Sequence, residues 1–495
     1  MMEKYILSID QGTTSSRAMV FDLHGRIKSA SQQEFGQIFP RPGWVEHDPM
    51  EIWTSQLSSI KEALAAAGLK AGEVQALGIS NQRETTVLWE RDSGKPVYNA
   101  IVWQCRRTAE LCRELKNEGL EGMVREKTGL IIDPYFAATK LLWLFREYPD
   151  IKKRSEKGEI CFGTVDSWLI YMLTGEHLTD ASNASRTLLF NIHTGKWDED
   201  ILKAFHIPLV ILPRVVPSSG LMACVKKGIL GAEIPVAGCA GDQQAALFGQ
   251  GCFKPGEAKN TYGTGCFTLM NTGKNPVHSQ NGLLTTVAWD LGHGLEYALE
   301  GSVFMAGAVI QWLRDSLGII RHAADSHEAA LSVPDTGGVY LVPAFVGLGA
   351  PHWDPDVRGS LFGLTRGSSS AHIIRAALES IAYQSYDLLK AMEKDSGEIM
   401  PFLKVDGGAT ANRFLMQFQA DILGIAVQKP VVAETTALGA AYLAGLGMGF
   451  WNCKEDIQKN WQLDHEYQPR MSLRESEQKR VGWAKAVEAS KVFRY

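Results

Sequence analysis

Three glycine-bearing turns, each directly after a short apolar run, constrain the fold of this chain more than any other feature. Tyr5 to Asp10 reads as a strand that ends in Gln11-Gly12-Thr13-Thr14-Ser15, and Ser16 to Asp22 returns as a second strand. Ala258 to Asn271 predicts a hairpin that turns at Gly263-Thr264-Gly265, and the run Phe402 to Asp406 ends in Gly407-Gly408 ahead of a helix. Glycines at strand ends leave backbone N–H groups bare enough for a ligand to approach, so these turns mark positions for a site as well as for chain reversal.

Between the turns, strands and helices alternate. A third strand follows His24-Gly25, and Asp48-Pro49-Met50-Glu51 predicts a helix start running to about Ala67, with Asp48 as cap and Glu51 placed for a capping box. Gln75 to Ser80 is the next strand, Asn81 to Glu84 the loop leaving it, and Thr85 to Glu90 another strand. In the second half, strands are expected at Leu283 to Ala288 and Tyr297 to Leu299. Helices are expected near Phe304 to Leu317, Ala371 to Lys394, Asn412 to Leu423 and Thr436 to Leu446. At 495 residues the chain exceeds one hydrophobic core. Each half opens with a glycine- and threonine-bearing hairpin, which points to an α/β duplication with domains 1–250 and 251–495 meeting near Gln250.

The first turn adds a carboxylate, Asp10, to the hydroxyls of Thr13, Thr14 and Ser15, which suits phosphate oxygens and a magnesium ion held through water. An ordinary polar hairpin has the same composition. Thr264 offers a hydroxyl between two glycines, and Gly408 with Asn412 forms a strand-to-helix turn against which a base or ribose can lie. Asp242 precedes an apolar helical stretch, either as a proton acceptor or as a helix N-cap. Arg83 and Glu84 together can grip vicinal hydroxyls; adjacent charges on a loop also occur as a solvated surface pair.

Several classes are excluded. The chain has no Gly-x-x-x-x-Gly-Lys-Ser/Thr run, no protein-kinase marks and no dinucleotide Gly-x-Gly-x-x-Gly turn. No His/Cys group has zinc-site spacing, so His24, His47, His177 and His352 read as surface or packing residues. With 50 basic and 55 acidic side chains, a net charge of -5 and no long block of either sign, no nucleic-acid partner is expected. The eight scattered cysteines read as free thiols of a cytoplasmic protein, and the longest apolar run, Ala437 to Trp451, is too short to span a membrane.

With these motifs the chain resembles the FGGY carbohydrate kinases, and within them the members that phosphorylate glycerol, from about residue 3 to the last helices. The resemblance is carried by Asp10 to Arg17, Ser80 to Thr85, Trp103 to Thr108, Gly241 to Gly249, Thr261 to Phe267 and Asp406 to Asn412, in that order. It implies two actin/Hsp70-like (ribonuclease H-like) ATPase domains with a catalytic cleft between them, and transfer of the γ-phosphoryl group of ATP to glycerol with Mg2+. It further implies that Arg83, Glu84, Tyr135, Asp242 and Gln243 bind the glycerol hydroxyls while Trp103 and Phe267 flank the carbons. Thr13, Thr14, Ser15, Arg17 and Thr264 would contact phosphates, Gly307, Gln311, Gly408 and Asn412 the rest of the nucleotide, Asp10 the metal, and Asp242 would be the base.

A kinase of the same family for a larger sugar or polyol would share the ATP motifs but lack the Asn81 to Glu84 segment and the aromatic pair. A non-metabolic actin-like ATPase would not need Arg83 and Glu84 beside Asp242. Kinases of this kind are commonly homodimers or homotetramers. Family members inhibited by a sugar bisphosphate carry an arginine where this chain has Glu233, and no histidine lies between His206 and His278. Insensitivity to bisphosphate and to histidine phosphorylation is therefore expected.

Overall fold

The computed structural model of the chain describes residues 4–354 and 356–492. Two large sheets organise it. The first, in spatial order, is Ser219–Cys224, Pro235–Gly241, Val74–Asn81, Tyr5–Gln11, Ser15–Asp22 and Ile27–Glu34. The second runs Leu284–Asp290, Leu295–Val303, Cys266–Gly273, Ala258–Tyr262, Phe402–Asp406, Ala426–Pro430 and Leu463–Tyr467. In each sheet the first strand of the half pairs antiparallel with the next and parallel with a later strand. The repeated pattern is the duplication that the two opening hairpins announced.

Register, more than any single motif, places the functional loops. Gln11 pairs with Asn81 and Asn81 with Gly241, all three strands being parallel, so three chain segments leave the first sheet from one row of residues. The turn Gly12–Ser15, the loop Gln82–Thr85 and the helix Asp242–Gly249 must therefore start side by side. The second sheet repeats this at Thr261 and Asp406, beyond which lie the other two glycine turns.

Helix Pro49–Ala67 starts as its sequence requires: Asp48 accepts a hydrogen bond from Met50 N at 2.7 Å, and Gly68 ends it at φ 71°. Glu51 does not close the expected capping box. Its carboxylate accepts instead from Gly36 N at 2.9 Å, a loop donor that would otherwise lack a partner.

Helix Thr435–Gly447 comes from the second half of the chain yet lies on the first sheet, where Gly78 and Gly238 admit its backbone at Ala440 and Ala444. It also crosses helix Asp242–Gly249 with Gly439 against the Ala245 carbonyl, an approach that a Cβ would block. Buried apolar clusters lie around the sheets and the helices packed on them.

Candidate active site

The buried centre between the sheets is ionic. Arg83 and Glu84 are 3% and 1% exposed, which rules out the solvated surface pair. The Arg83 guanidinium donates to both Glu300 oxygens, at 2.5 and 2.9 Å, and its Nε lies 3.1 Å from Asp242 Oδ1. Arg186 donates to Glu84 at 2.6 Å and to Glu300 at 2.9 Å. Two guanidiniums and two carboxylates thus neutralise one another out of reach of water, the condition under which buried charge is tolerated. Burial would raise Glu300, but Arg186 and Arg83 outweigh it and hold the carboxyl at about 2. Glu84 moves the other way because burial prevails over the same two arginines.

Glu84 also sits at φ 59°, a left-handed conformation that a side chain adopts at a cost of about 1 kcal/mol or more. Its ion pair with Arg186 fixes the carboxylate in that position.

The short helix Ala181–Ala184 ties these loops together. Asp180 caps it by accepting from Ser182 N and Asn183 N. Asn183 exchanges hydrogen bonds with Asn81 at 2.9 and 3.1 Å, and Ser182 Oγ accepts from Gly241 N at 3.0 Å. One buried turn thus holds the residues just before Arg83 and just before Asp242. Neither this segment nor Arg186 and Glu300 was anticipated from the sequence. The available signals were Glu300 as an acid within the apolar stretch of its strand, and Arg186 beside a run of small polar residues.

Asp242 is the first residue of its helix, with Gly241 at the cap position, so the N-cap alternative does not hold. Its Oδ1 accepts from Gln243 N at 2.7 Å and faces Arg83, leaving Oδ2 without a hydrogen bond among the described residues; the side chain is 32% exposed. Aromatic rings stand in the same region. Trp103 lies 5.7 Å from Tyr135 and 6.3 Å from Phe267, centre to centre, and its indole N–H donates to Thr13 Oγ1 at 3.0 Å. Burial raises the Tyr135 phenol far above its ordinary range, so it is a neutral donor.

Asp10 is half-buried and its carboxylate makes no hydrogen bond or ion pair with the described residues. Burial pushes it up to about 7; Arg17 opposes this, while Asp242 and Glu434 add to it. An unpartnered carboxylate in a field of like charge is the kind of group that a hard cation stabilises through oxygen ligands. The exposed Thr14 and the half-buried Thr13 belong to the same turn, closed by Gly12 N to Ser15 O at 2.9 Å. Ser15 is buried and accepts from Gln32 at 3.1 Å. Arg17 crosses to Glu434 at 2.9 Å, joining this turn to the start of helix Thr435–Gly447.

In the second half, the carbonyls of Gly263 and Thr264 accept from Gly307 N and from Ala306 N and Ala308 N, each at 3.0 Å. This seats the Thr264 turn on helix Gly307–Asp315, and a Cβ at Gly307 would stand 2.6 Å from the Gly263 carbonyl. Gly407 takes φ 89° under the Tyr262 backbone, leaving Gly408 exposed. Gln311 lies one turn along from Gly307 and is exposed. The Asn412 side chain caps helix Arg413–Leu423 through Leu415 N at 3.0 Å and donates to Ser326 at 3.1 Å. Among the described residues no hydrogen bond or ion pair links the Thr14 turn, the Thr264 turn, Gln311 and Gly408 to one another.

Three comparisons bear on what this geometry belongs to. The model of the FGGY family of carbohydrate kinases, N-terminal domain, matches residues 5–249, and that of its C-terminal domain matches residues 258–448. A glycerol kinase of Caldanaerobacter subterraneus subsp. tengcongensis is 59% identical over 489 residues, 98% of each chain. The crystal structure of Plasmodium falciparum glycerol kinase with ADP superposes with a TM-score of 0.94 at 37% identity, covering 99% of this chain and 98% of that one. A xylulose kinase from Lactobacillus acidophilus shares the fold, with a TM-score of 0.90 at 23% identity over 99% and 98% of the two chains. With both halves matched in order, and the actin/Hsp70-like sheets closing on Arg83 and Asp242, the chain belongs to the FGGY family of carbohydrate kinases.

Proposed function

We propose that the protein is a glycerol kinase that transfers the γ-phosphoryl group of ATP to glycerol, giving sn-glycerol 3-phosphate and ADP. The observation that carries this reading is the free Asp242 Oδ2 beside the buried Arg83–Glu84 pair and the Trp103–Phe267 aromatic pair. Charged groups that grip two hydroxyls and rings that cover three carbons describe a small polyol. The 59% identity to a protein named glycerol kinase supports the same choice over a larger sugar.

In this reading Asp242 accepts the proton of the attacking hydroxyl as its oxygen bonds to the γ-phosphorus and the bond to the β-phosphate oxygen breaks. Arg83, Glu84, Tyr135 and Gln243 hold the other hydroxyls, so that one oxygen faces Asp242. Thr13, Thr14, Ser15, Arg17 and Thr264 take the phosphates, and Gly307, Gln311, Gly408 and Asn412 the remainder of the nucleotide. Asp10 would hold Mg2+ through coordinated water. When bound, that ion neutralises charge on the phosphate oxygens.

The two domains meet near Gln250, and closure of the cleft between them would exclude water and so favour the alcohol as acceptor. All eight cysteines are unpaired, as in a reducing cytoplasm, and among the described residues no helix is long and apolar enough to cross a membrane.

The test is ADP formation by the purified protein with ATP and Mg2+, against glycerol, xylulose, gluconate and no added acceptor, with the product identified by NMR. Glycerol-dependent ADP release with stoichiometric glycerol 3-phosphate is expected. Preference for xylulose or gluconate, or ATP hydrolysis indifferent to polyol, would overturn the reading.

A further inference from the structure

Lys259, in the strand Ala258–Tyr262, is completely buried and reaches across to the first turn of helix Asp242–Gly249. Its Nζ donates to Gln243 Oε1, to Thr261 Oγ1 at 2.9 Å and to the Phe267 carbonyl at 3.3 Å. Three acceptors match the three donors of an ammonium group, so no proton is left over. Burial pulls Lys259 down and Asp406, Asp242 and Glu300 act to keep it charged, the balance leaving it at about 8. A buried charge kept at this cost does more than fill space, since an apolar side chain of the same length would pack without it.

An ammonium cannot accept a hydrogen bond. The end of the Gln243 amide that faces Lys259 must therefore be the oxygen, which settles an orientation that amide groups otherwise leave open. The amide nitrogen Nε2 makes no hydrogen bond within the described residues and is not sealed from solvent. One residue away, Asp242 Oδ2 is likewise without a hydrogen bond among the described residues. A pure acceptor and a pure donor thus stand at consecutive positions.

We propose that Lys259 is a positioning residue that locks Gln243 as a hydrogen-bond donor, so that the site reads a second substrate oxygen next to the hydroxyl that Asp242 deprotonates. The inference rests on the glycerol reading and deepens it. Without the ammonium, the amide turns over freely and presents its oxygen as readily as its nitrogen. The donor that rewards a second hydroxyl is then lost for part of the time, while Asp242 and Arg83 remain in place.

The experiment compares kcat/KM for glycerol, propane-1,2-diol and propane-1,3-diol in wild type, Lys259→Met and Gln243→Glu, with thermal unfolding as a check on each variant. Wild type is expected to favour glycerol over at least one diol by about tenfold or more, the usual penalty for an unmet buried hydrogen bond. Lys259→Met is expected to bring that ratio to within about threefold, through a raised KM for glycerol more than through kcat, with the KM for ATP unchanged. Gln243→Glu keeps an ion pair with Lys259 but has no amide donor, so its ratio should collapse in the same way; if Lys259→Met does not fold, a ratio preserved in Gln243→Glu still overturns the proposal, because there was then no donor to lock. A ratio preserved in either folded variant, with glycerol and both diols falling by one common factor, overturns the proposal. So does a wild type that does not distinguish glycerol from either diol. A wild type that fails to phosphorylate glycerol at all overturns the glycerol reading, and this inference with it.

Discussion

Asp242 has one oxygen committed and one free: Oδ1 is fixed by Gln243 N and Arg83, and Oδ2 makes no hydrogen bond among the described residues. An amide at this position keeps the shape but cannot take a proton. Asp242→Asn should therefore retain fold and glycerol binding while losing transfer by about a hundredfold or more. Single-turnover phosphoryl transfer measures this, and a loss under about threefold would remove Asp242 from the base role. Asp10 is a different case, since its carboxylate makes no hydrogen bond or ion pair among the described residues and is pushed up to about 7 by burial. Asp10→Asn should raise the magnesium concentration needed for half-maximal rate by about tenfold with little change in KM for glycerol. A magnesium titration at fixed ATP that superposes on wild type would reduce Asp10 to a turn residue. Asp10, Arg83 and Asp242 stood out as candidates because each sits in a short motif at a strand end, while the choice between their alternatives came from the resemblance to the kinase family. Arg186 and Glu300 were not. They meet Glu84 and Arg83 across 102 and 217 residues of chain, and no local pattern encodes such a pairing.

Among the elements, the three parallel strands that end at Gln11, Asn81 and Gly241 and the helix that begins at Asp242 make one unit. The position of that helix depends on its crossing with Thr435–Gly447, where Gly439 lies against the Ala245 backbone. Gly439→Ala has nowhere to put its methyl group and must push the helices apart. It should destabilise the protein by about 1–3 kcal/mol and lower kcat by moving Asp242. Urea unfolding combined with steady-state kinetics tests both halves of this expectation; a variant as stable as wild type would show that the crossing yields easily. The existence and type of these elements were readable from apolar runs, Pro49 and the terminal glycines. That Thr435–Gly447 covers the first sheet was not, because a helix buried nearly all round carries no sign of which sheet it lies on.

For the molecule as a whole, the pH dependence of folding follows from buried groups that must stay neutral. His47 is fully buried, donating from Nε2 to Gln37 at 2.7 Å and accepting at Nδ1 from Gln82, and burial lowers it to about 4. Between pH 6.5 and 4 the unfolded chain takes up a proton there that the folded chain refuses, so stability is lost as pH falls through that window. From pH 7 to pH 5 the loss is about 2 kcal/mol, and His47→Gln should remove it from the urea-unfolding profile. A variant whose stability falls as steeply as wild type would show that His47 charges without penalty. The sequence by itself determined the alternation of strands and helices, the duplicated halves and the glycine turns, because hydrophobic period and backbone conformation are set within a few residues. Only the tertiary structure decided which charges face one another. Arg186, Glu300 and Lys259 have partners on other elements, and a buried charge is defined by what the whole fold brings to it.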